Sequence, residues 1–250
     1  MENDSQKTVD GHVHQTMIDA IIESVRNTLS DLPSNNSALS YSGGLDSTII
    51  MALSDFKLHP YTTGFSDSKD ISASRKISKT LGFKAKEIIL DYIDINSLFN
   101  EILEIDPAIQ SGDLGYEAVL LSVLKHATEK YVVTGQGADE FFYGYQKYER
   151  EPDLTNAEDI EKLINITCPR EKKMADSLGK ITVLPYMKQD VTDIASLIPR
   201  HQHINGEERK LILRSVARRI GLPDEVVNLR KTAAQYGSGM QKIVKKKFRR

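Results

Sequence analysis

The chain has 250 residues, 40% of them hydrophobic, enough to bury the core of one large domain or two small ones. Its 33 basic and 35 acidic residues leave a formal net charge of −2, so no bulk field favours nucleic acid. One cysteine, Cys168, excludes an internal disulfide, and no apolar run reaches the roughly 18 residues that a membrane-spanning helix requires.

Residues Met1 to Gly11 are polar, lack the apolar stretch of a signal peptide and are expected to fray. With the cysteine usage, this gives a cytoplasmic protein as the expectation. Val13, Met17, Ile18, Ile21, Ile22, Val25 and Leu29 keep helical spacing up to Pro33. Ala38 to Tyr41 then predicts a strand, and a helix is expected from Ser47 through Ile49, Ile50, Ala52 and Leu53. His59 to Phe65 predicts a strand, Ile71 to Leu81 a helix stopped by Gly82, and Glu87 to Leu90 a strand. Helices over 96–105 and 114–129 lead to a strand over 131–134. Beyond Thr155 helical periods dominate, over 160–166, 191–197, 207–220 and 239–247. The alternation predicts an α/β fold with a doubly wound parallel sheet and a helical C-terminal region. The expected division is an N-terminal arm and helix over 1–34, an α/β core over 35–150, and helices over 151–250 packed on that core.

Tyr41-Ser42-Gly43-Gly44-Leu45-Asp46-Ser47-Thr48 stands between a strand and a helix, where loops of a parallel sheet open toward a ligand crevice. Two glycines let backbone amides approach an anion, Ser42 and Ser47 offer hydroxyls, and Ser47 can cap the helix. Asp46 beside polyphosphate requires a cation between them, and Mg²⁺ supplies it. The loop lacks the lysine of a Walker A sequence. A second glycine loop, Thr134-Gly135-Gln136-Gly137-Ala138-Asp139-Glu140, follows the fourth strand. Strands one and four are neighbours in common open sheets, so Asp139 is expected to approach the same metal as Asp46. Taken alone, the second loop is equally an ordinary turn before a helix with acids in its first turn.

Ser-Gly-Gly-Leu-Asp-Ser resembles the pyrophosphate loop of N-type ATP pyrophosphatases, which cleave ATP between its α and β phosphates. The second loop, continuing Phe141-Phe142-Tyr143-Gly144-Tyr145, is similar to the Ser-Gly-Glu-Gly-(Ala/Ser)-Asp-Glu segment of the asparagine synthetase family. Further likenesses follow in the same order: Gly64-Phe65 with Ser68 and Asp70, Met174 to Leu178, Val183 to Tyr186, Lys210 to Arg214, Arg230-Lys231, and Gln235 to Gly239. The likeness runs over about residues 15 to 245. It implies ATP and Mg²⁺ as cofactors, with nucleotide contacts at Ser40, Ser42, Gly43, Gly44, Leu45, Asp46, Ser47, Thr63 and Gly135, and metal ligands Asp46 and Asp139. It also implies Lys231 as the cation that stabilises charge on the α-phosphate.

Three departures qualify the resemblance. The chain starts Met1-Glu2-Asn3, without the N-terminal cysteine and glutaminase domain of glutamine-dependent members, so ammonia, another amine or a separate glutaminase partner is expected. Gln136 replaces a glutamate, and an amide cannot accept a proton from an attacking amine. Lys188 replaces an aspartate. The reading is an adenylating amide ligase acting on a small-molecule carboxylate. The alternatives are a nucleotide-binding regulatory protein, supported by Gln136 and Lys188, and an RNA-modifying enzyme, supported only by the basic run from Lys242 to Arg250. A homodimer is compatible with this reading. His201 and His203 could meet a metal only from an extended loop, and Gly112-Asp113 serves either an acceptor pocket or a helix cap.

Overall fold

Short β-prone runs alternating with amphipathic segments leave a sheet apolar on both faces, which helices must cover on both sides. The computed structural model describes residues 2–206, 208–229 and 234–248, with side chains from 14 to 247 within those ranges. Strands β1 (Ser37–Ser40), β2 (His59–Gly64), β3 (Lys86–Ile89), β4 (Tyr131–Val133) and β5 (Ile181–Val183) form one parallel sheet in the order β3-β2-β1-β4-β5. A short antiparallel pair, β6 (Ile204–Asn205) and β7 (Glu208–Arg209), stands apart from it.

The first helices are α1 (Glu2–Ser30), α2 (Leu45–Leu53), α3 (Lys69–Thr80), α4 (Ile95–Ile105) and α5 (Ser111–His126). After β4 come α6 (Ala138–Phe141), α7 (Lys147–Arg150), α8 (Ala157–Lys162) and α9 (Cys168–Ser177), with a π-helical segment, Leu163–Thr167, joining α8 to α9. Then follow α10 (Gln189–Leu197), α11 (Arg200–His203), α12 (Leu211–Arg219), α13 (Asp224–Val227), α14 (Ala234–Gly237) and α15 (Met240–Phe248). Local chemistry sets several ends. Ser68 caps α3 by accepting from the Ile71 amide, Asp94 caps α4, and Gly82 closes α3 at φ +78°.

Successive strand residues face opposite sides. Leu39 and Val133 face a core shared with Ile21 and Val25 of α1, Ile49 and Ile50 of α2, and Val216 of α12. Their neighbours Ala38 and Val132 face the other core, with Phe99 of α4, Leu121 and Leu124 of α5, and Val244 of α15. Each such fully buried aliphatic or aromatic side chain contributes about 1.5–3 kcal/mol.

The structure changes the sequence reading at four places, one being Glu208–Arg209, which form β7 within the stretch 207–220 expected to be helical. Helix α2 begins at Leu45, with Gly44 at its N-cap, so Ser47 is its third residue and not its cap. Residues 181–183, within the stretch expected to be helical, join the sheet as an edge strand beside β4. Helix α1 reaches back to Glu2, through residues expected to fray.

Candidate active site

Strand β1 pairs with β2 on one side and β4 on the other, so the loops after β1 and β4 emerge side by side at the carboxyl edge. Gly43 turns the first loop at φ +71°, and a Cβ there would stand 2.4 Å from the Ser74 amide nitrogen. Only glycine fits that combination. The Ser47 hydroxyl lies 3.4 Å from the Ser42 amide and 3.4 Å from the Ser42 hydroxyl, which knits the loop into a closed turn. No side chain caps α2. Its first amides and dipole therefore face the loop and favour an anion.

The second loop comes close to the first. A Cβ added at Gly135 would lie 3.4 Å from the Asp46 Cβ. Gly137, at φ +90°, turns the chain into α6, which carries Asp139. Lys210, the first residue of the Lys210-to-Arg214 likeness, joins the two acids. Lys210 Nζ lies 2.7 Å from Asp46 Oδ2 and 2.8 Å from Asp139 Oδ1, with the lysine side chain only 3% exposed. Lys210 sits in the left-handed region just before α12, and Gly144 makes room for it: a Cβ at Gly144 would be 2.2 Å from Lys210 Cε. The buried Tyr186 hydroxyl donates to the Asp46 carbonyl at 3.0 Å. Two carboxylates converging on one cation are a hard-oxygen donor set that suits Mg²⁺, with phosphate and water completing its coordination. Among the described residues no cluster of three His, Cys, Asp or Glu side chains is poised for a metal.

The two loops open on a cleft of about 530 Å³. Ser40, Ser42, Asp46, Ser47, Gly135, Gln136 and Asp139 form one part of its wall. Asp113 and Tyr116 of α5, Lys162, Leu163, Thr167, and Glu171 of α9 form another. Burial pushes the Glu140 carboxyl up to about 7, reinforced by the neighbouring Asp139 charge, while the Tyr145 hydroxyl donates to it at 2.5 Å. Asp113 caps nothing: it is the third residue of α5 and pairs with Lys162 at 2.8 Å. Arg170 serves Glu117 at 2.7 Å and Asp106 at 3.0 Å.

Of the remaining predicted residues, Gly43, Gly44 and Leu45 shape the first loop without lining the cleft, and Thr63 is buried on β2 outside its wall. Lys231 and Arg230 lie outside the described residues. Arg214 donates to the carbonyls of Val227 and Leu229, fixing the chain just ahead of them. Lys188 is exposed at the start of α10 and does not line the cleft. His203 is a core residue that packs against Phe142 and Tyr143, and burial holds its imidazole down at about 4. Part of the basic run is engaged on the molecule itself: Lys247 donates to Asn96 and lies over the Phe99 ring. No described helix is long and apolar enough to cross a membrane.

The sequence pattern of the asparagine synthase family matches residues 17–161 and 157–250. A Methanocaldococcus jannaschii protein assigned as asparagine synthetase 1 (glutamine-hydrolysing) is 26% identical, over 82% of this chain and 46% of its own length. Glutamine-hydrolysing asparagine synthetase B of Escherichia coli is 26% identical over 78% of this chain and 40% of its own. The glutamine-hydrolysing asparagine synthetase 1 of Arabidopsis thaliana is 24% identical over 68% and 33%. The chain thus spans less than half the length of each of these relatives.

Proposed function

The chain belongs to the asparagine synthase family, and from that premise we propose that it is an ATP-dependent, AMP-forming amide ligase. The observation that carries the proposal is the meeting of two glycine loops on one cleft, with Asp46 and Asp139 sharing the Lys210 ammonium. The names of the relatives support amidation as the reaction class.

In this reading the pyrophosphate of ATP lies on the Ser42–Ser47 loop and the uncapped start of α2. Asp46 and Asp139 would hold Mg²⁺, which neutralises charge on the phosphates when bound. An oxygen of the substrate carboxylate attacks the α-phosphorus, and the bond to the bridging oxygen of pyrophosphate breaks. Lys231 is the fixed cation for the departing charge, with Lys210 adding a second beside the two acids. The nitrogen of an amine then attacks the acyl carbon, the acyl–oxygen bond breaks, AMP leaves, and the amine's proton passes to the departing phosphate or to water. Gln136 can position the reacting groups by hydrogen bonding but cannot take the amine's proton. The nitrogen comes from ammonia, another amine or a separate glutaminase, and the single free cysteine suits a cytoplasmic setting.

The test is pyrophosphate release from Mg·ATP with a panel of carboxylates, aspartate included, each with and without ammonium. Release that requires one carboxylate names the acceptor. ATP binding without release for any acceptor sinks the ligase reading and leaves a nucleotide sensor. The Gln136→Glu variant adds a second readout. Aspartate-dependent amide formation that appears only in the variant means that natural asparagine synthesis is not this chain's reaction.

A further inference from the structure

The cleft that holds the two loops also reaches α9, and its acids there differ in how they are balanced. Asp113 is paired with Lys162, Asp159 with Lys147, and Asp46 and Asp139 with Lys210. Glu140 receives the Tyr145 hydroxyl. Glu171 stands differently. It is 3% exposed, no ion pair reaches it among the described residues, and its Oε2 is buried without a hydrogen-bond partner. The nearest guanidinium in sequence, Arg170, is committed to Glu117 and Asp106. Yet Glu171 lines the cleft, beside Thr167 at the end of the π-helical segment. A π segment widens a helix and is found preferentially at functional sites. A buried carboxyl left without a protein partner is costly unless something else completes it.

We propose that Glu171 is the anchor for a protonated primary amine, so that the cleft takes an organic ammonium group beside the nucleotide. The chemistry fits. An ammonium has three donors, and the buried Glu171 Oε2 has no hydrogen-bond partner among the described residues. Burial, then the neighbouring Glu117 and Glu140 charges, hold the empty Glu171 carboxyl well above the usual carboxylate range, and an arriving cation offsets that. The proposal rests on the ligase reading for its purpose only: an amine held at Glu171 is the nitrogen donor for the activated carboxylate once its ammonium has passed a proton to the Glu171 carboxylate, or a recognition handle on the substrate that carries it.

The experiment is isothermal titration of the full chain with methylammonium chloride and with 1,4-diaminobutane, using 1-butanol as the neutral control. Mg·ATP is titrated separately. All titrations are repeated on Glu171→Gln, with thermal unfolding of both proteins in the absence of amine. The expected result is amine binding, no alcohol binding, and a loss of amine affinity on the order of ten- to a hundredfold in the variant, the range for a buried charge-assisted hydrogen bond. Mg·ATP affinity stays within about twofold and the variant melts no lower than the parent, because an unpaired buried carboxyl has been removed. Amine affinity equal in both proteins, or no amine binding to the parent at millimolar concentration, overturns the proposal. So does a large fall in melting temperature of the variant, which would make Glu171 a structural partner of its neighbours. Absent Mg·ATP binding with amine binding intact refutes the ligase premise and keeps the anchor.

Discussion

Replacing Lys210 with methionine removes the ammonium that joins the two loops while nearly preserving side-chain volume. Each contact, at 2.7 and 2.8 Å, corresponds to about 6 kcal/mol of attraction at an effective dielectric of about 20, before desolvation is subtracted. Those two distances also mean that the contacting carboxylate oxygens stand no more than about 5.5 Å apart, so without the cation they repel by at least about 3 kcal/mol at the same dielectric. Breaking a buried pair by deleting one member costs about 3–5 kcal/mol in general. In a chain of this length that is a drop in melting temperature on the order of 10 °C. Because the released acids are the proposed metal ligands, Mg²⁺ should raise the melting temperature of Lys210→Met more than that of the parent. The assay is calorimetric unfolding in chelator and in a Mg²⁺ series. The double variant Lys210→Met with Asp139→Asn should recover part of the loss, since one of the two like charges is gone. A single variant that melts within about 3 °C of the parent in chelator, with no change in its response to Mg²⁺, would refute the coupling of the loops through Lys210.

Gly43→Ala forces a Cβ against the Ser74 amide at positive φ, so we expect a loss of about 2–3 kcal/mol by urea unfolding and a large fall in ATP affinity by titration. Lys231→Ala should lower the rate of pyrophosphate release about 100- to 1000-fold with little change in ATP affinity, and a rate within about threefold of the parent would remove Lys231 from the reaction. His203 titrates near 4 when folded against an ordinary 6.5, so the folded chain binds fewer protons than the unfolded one within that window. Stability should fall by about 3 kcal/mol as pH drops from 6.5 to 4, an effect absent in His203→Gln when urea midpoints are compared across pH. An unchanged pH slope in that variant would show that other groups carry the acid sensitivity.

How far the fold could be read from the sequence depended on how local each signal was. Strand β1, its loop and α2 are adjacent in the chain, and the glycine pair with flanking apolar runs specifies them together. The same holds for β4 and its loop. Strand β5 was hard to read because Ile181-Thr182-Val183 is only three residues long and sits at the sheet edge inside a stretch where helical periods dominate. The π-helical segment is equally silent: Leu163, Ile164 and Ile166 keep a spacing that reads as ordinary helix. Lys210 was visible as part of a motif but its task was not. It meets Asp46 across 164 residues, a pairing that only the folded sheet creates. Glu171 lies in the charged run Arg170-Glu171-Lys172-Lys173, the pattern of a solvated helix face, yet it is buried. Lys188 is the opposite case: its change of sign drew notice in the sequence, and in the fold it is exposed and does not line the cleft.

The last described segment has a bearing on how the protein is made. Ala234 and Gln235 line the cleft, the Phe65 amide donates to the Ser238 carbonyl at 3.0 Å, and Gly237 lies so near Asp70 that a Cβ would fall 1.9 Å from its oxygen. Helix α15 then seats on α5, where Gly115 admits Gln235 and Gln241. A nascent chain that has emerged only as far as residue 229 therefore has both glycine loops and the paired acids, but lacks the wall that closes over them. During synthesis this part of the cleft wall follows both loops. A ribosome-tethered chain of that length presents both glycine loops without the part of the cleft wall that Ala234 and Gln235 supply.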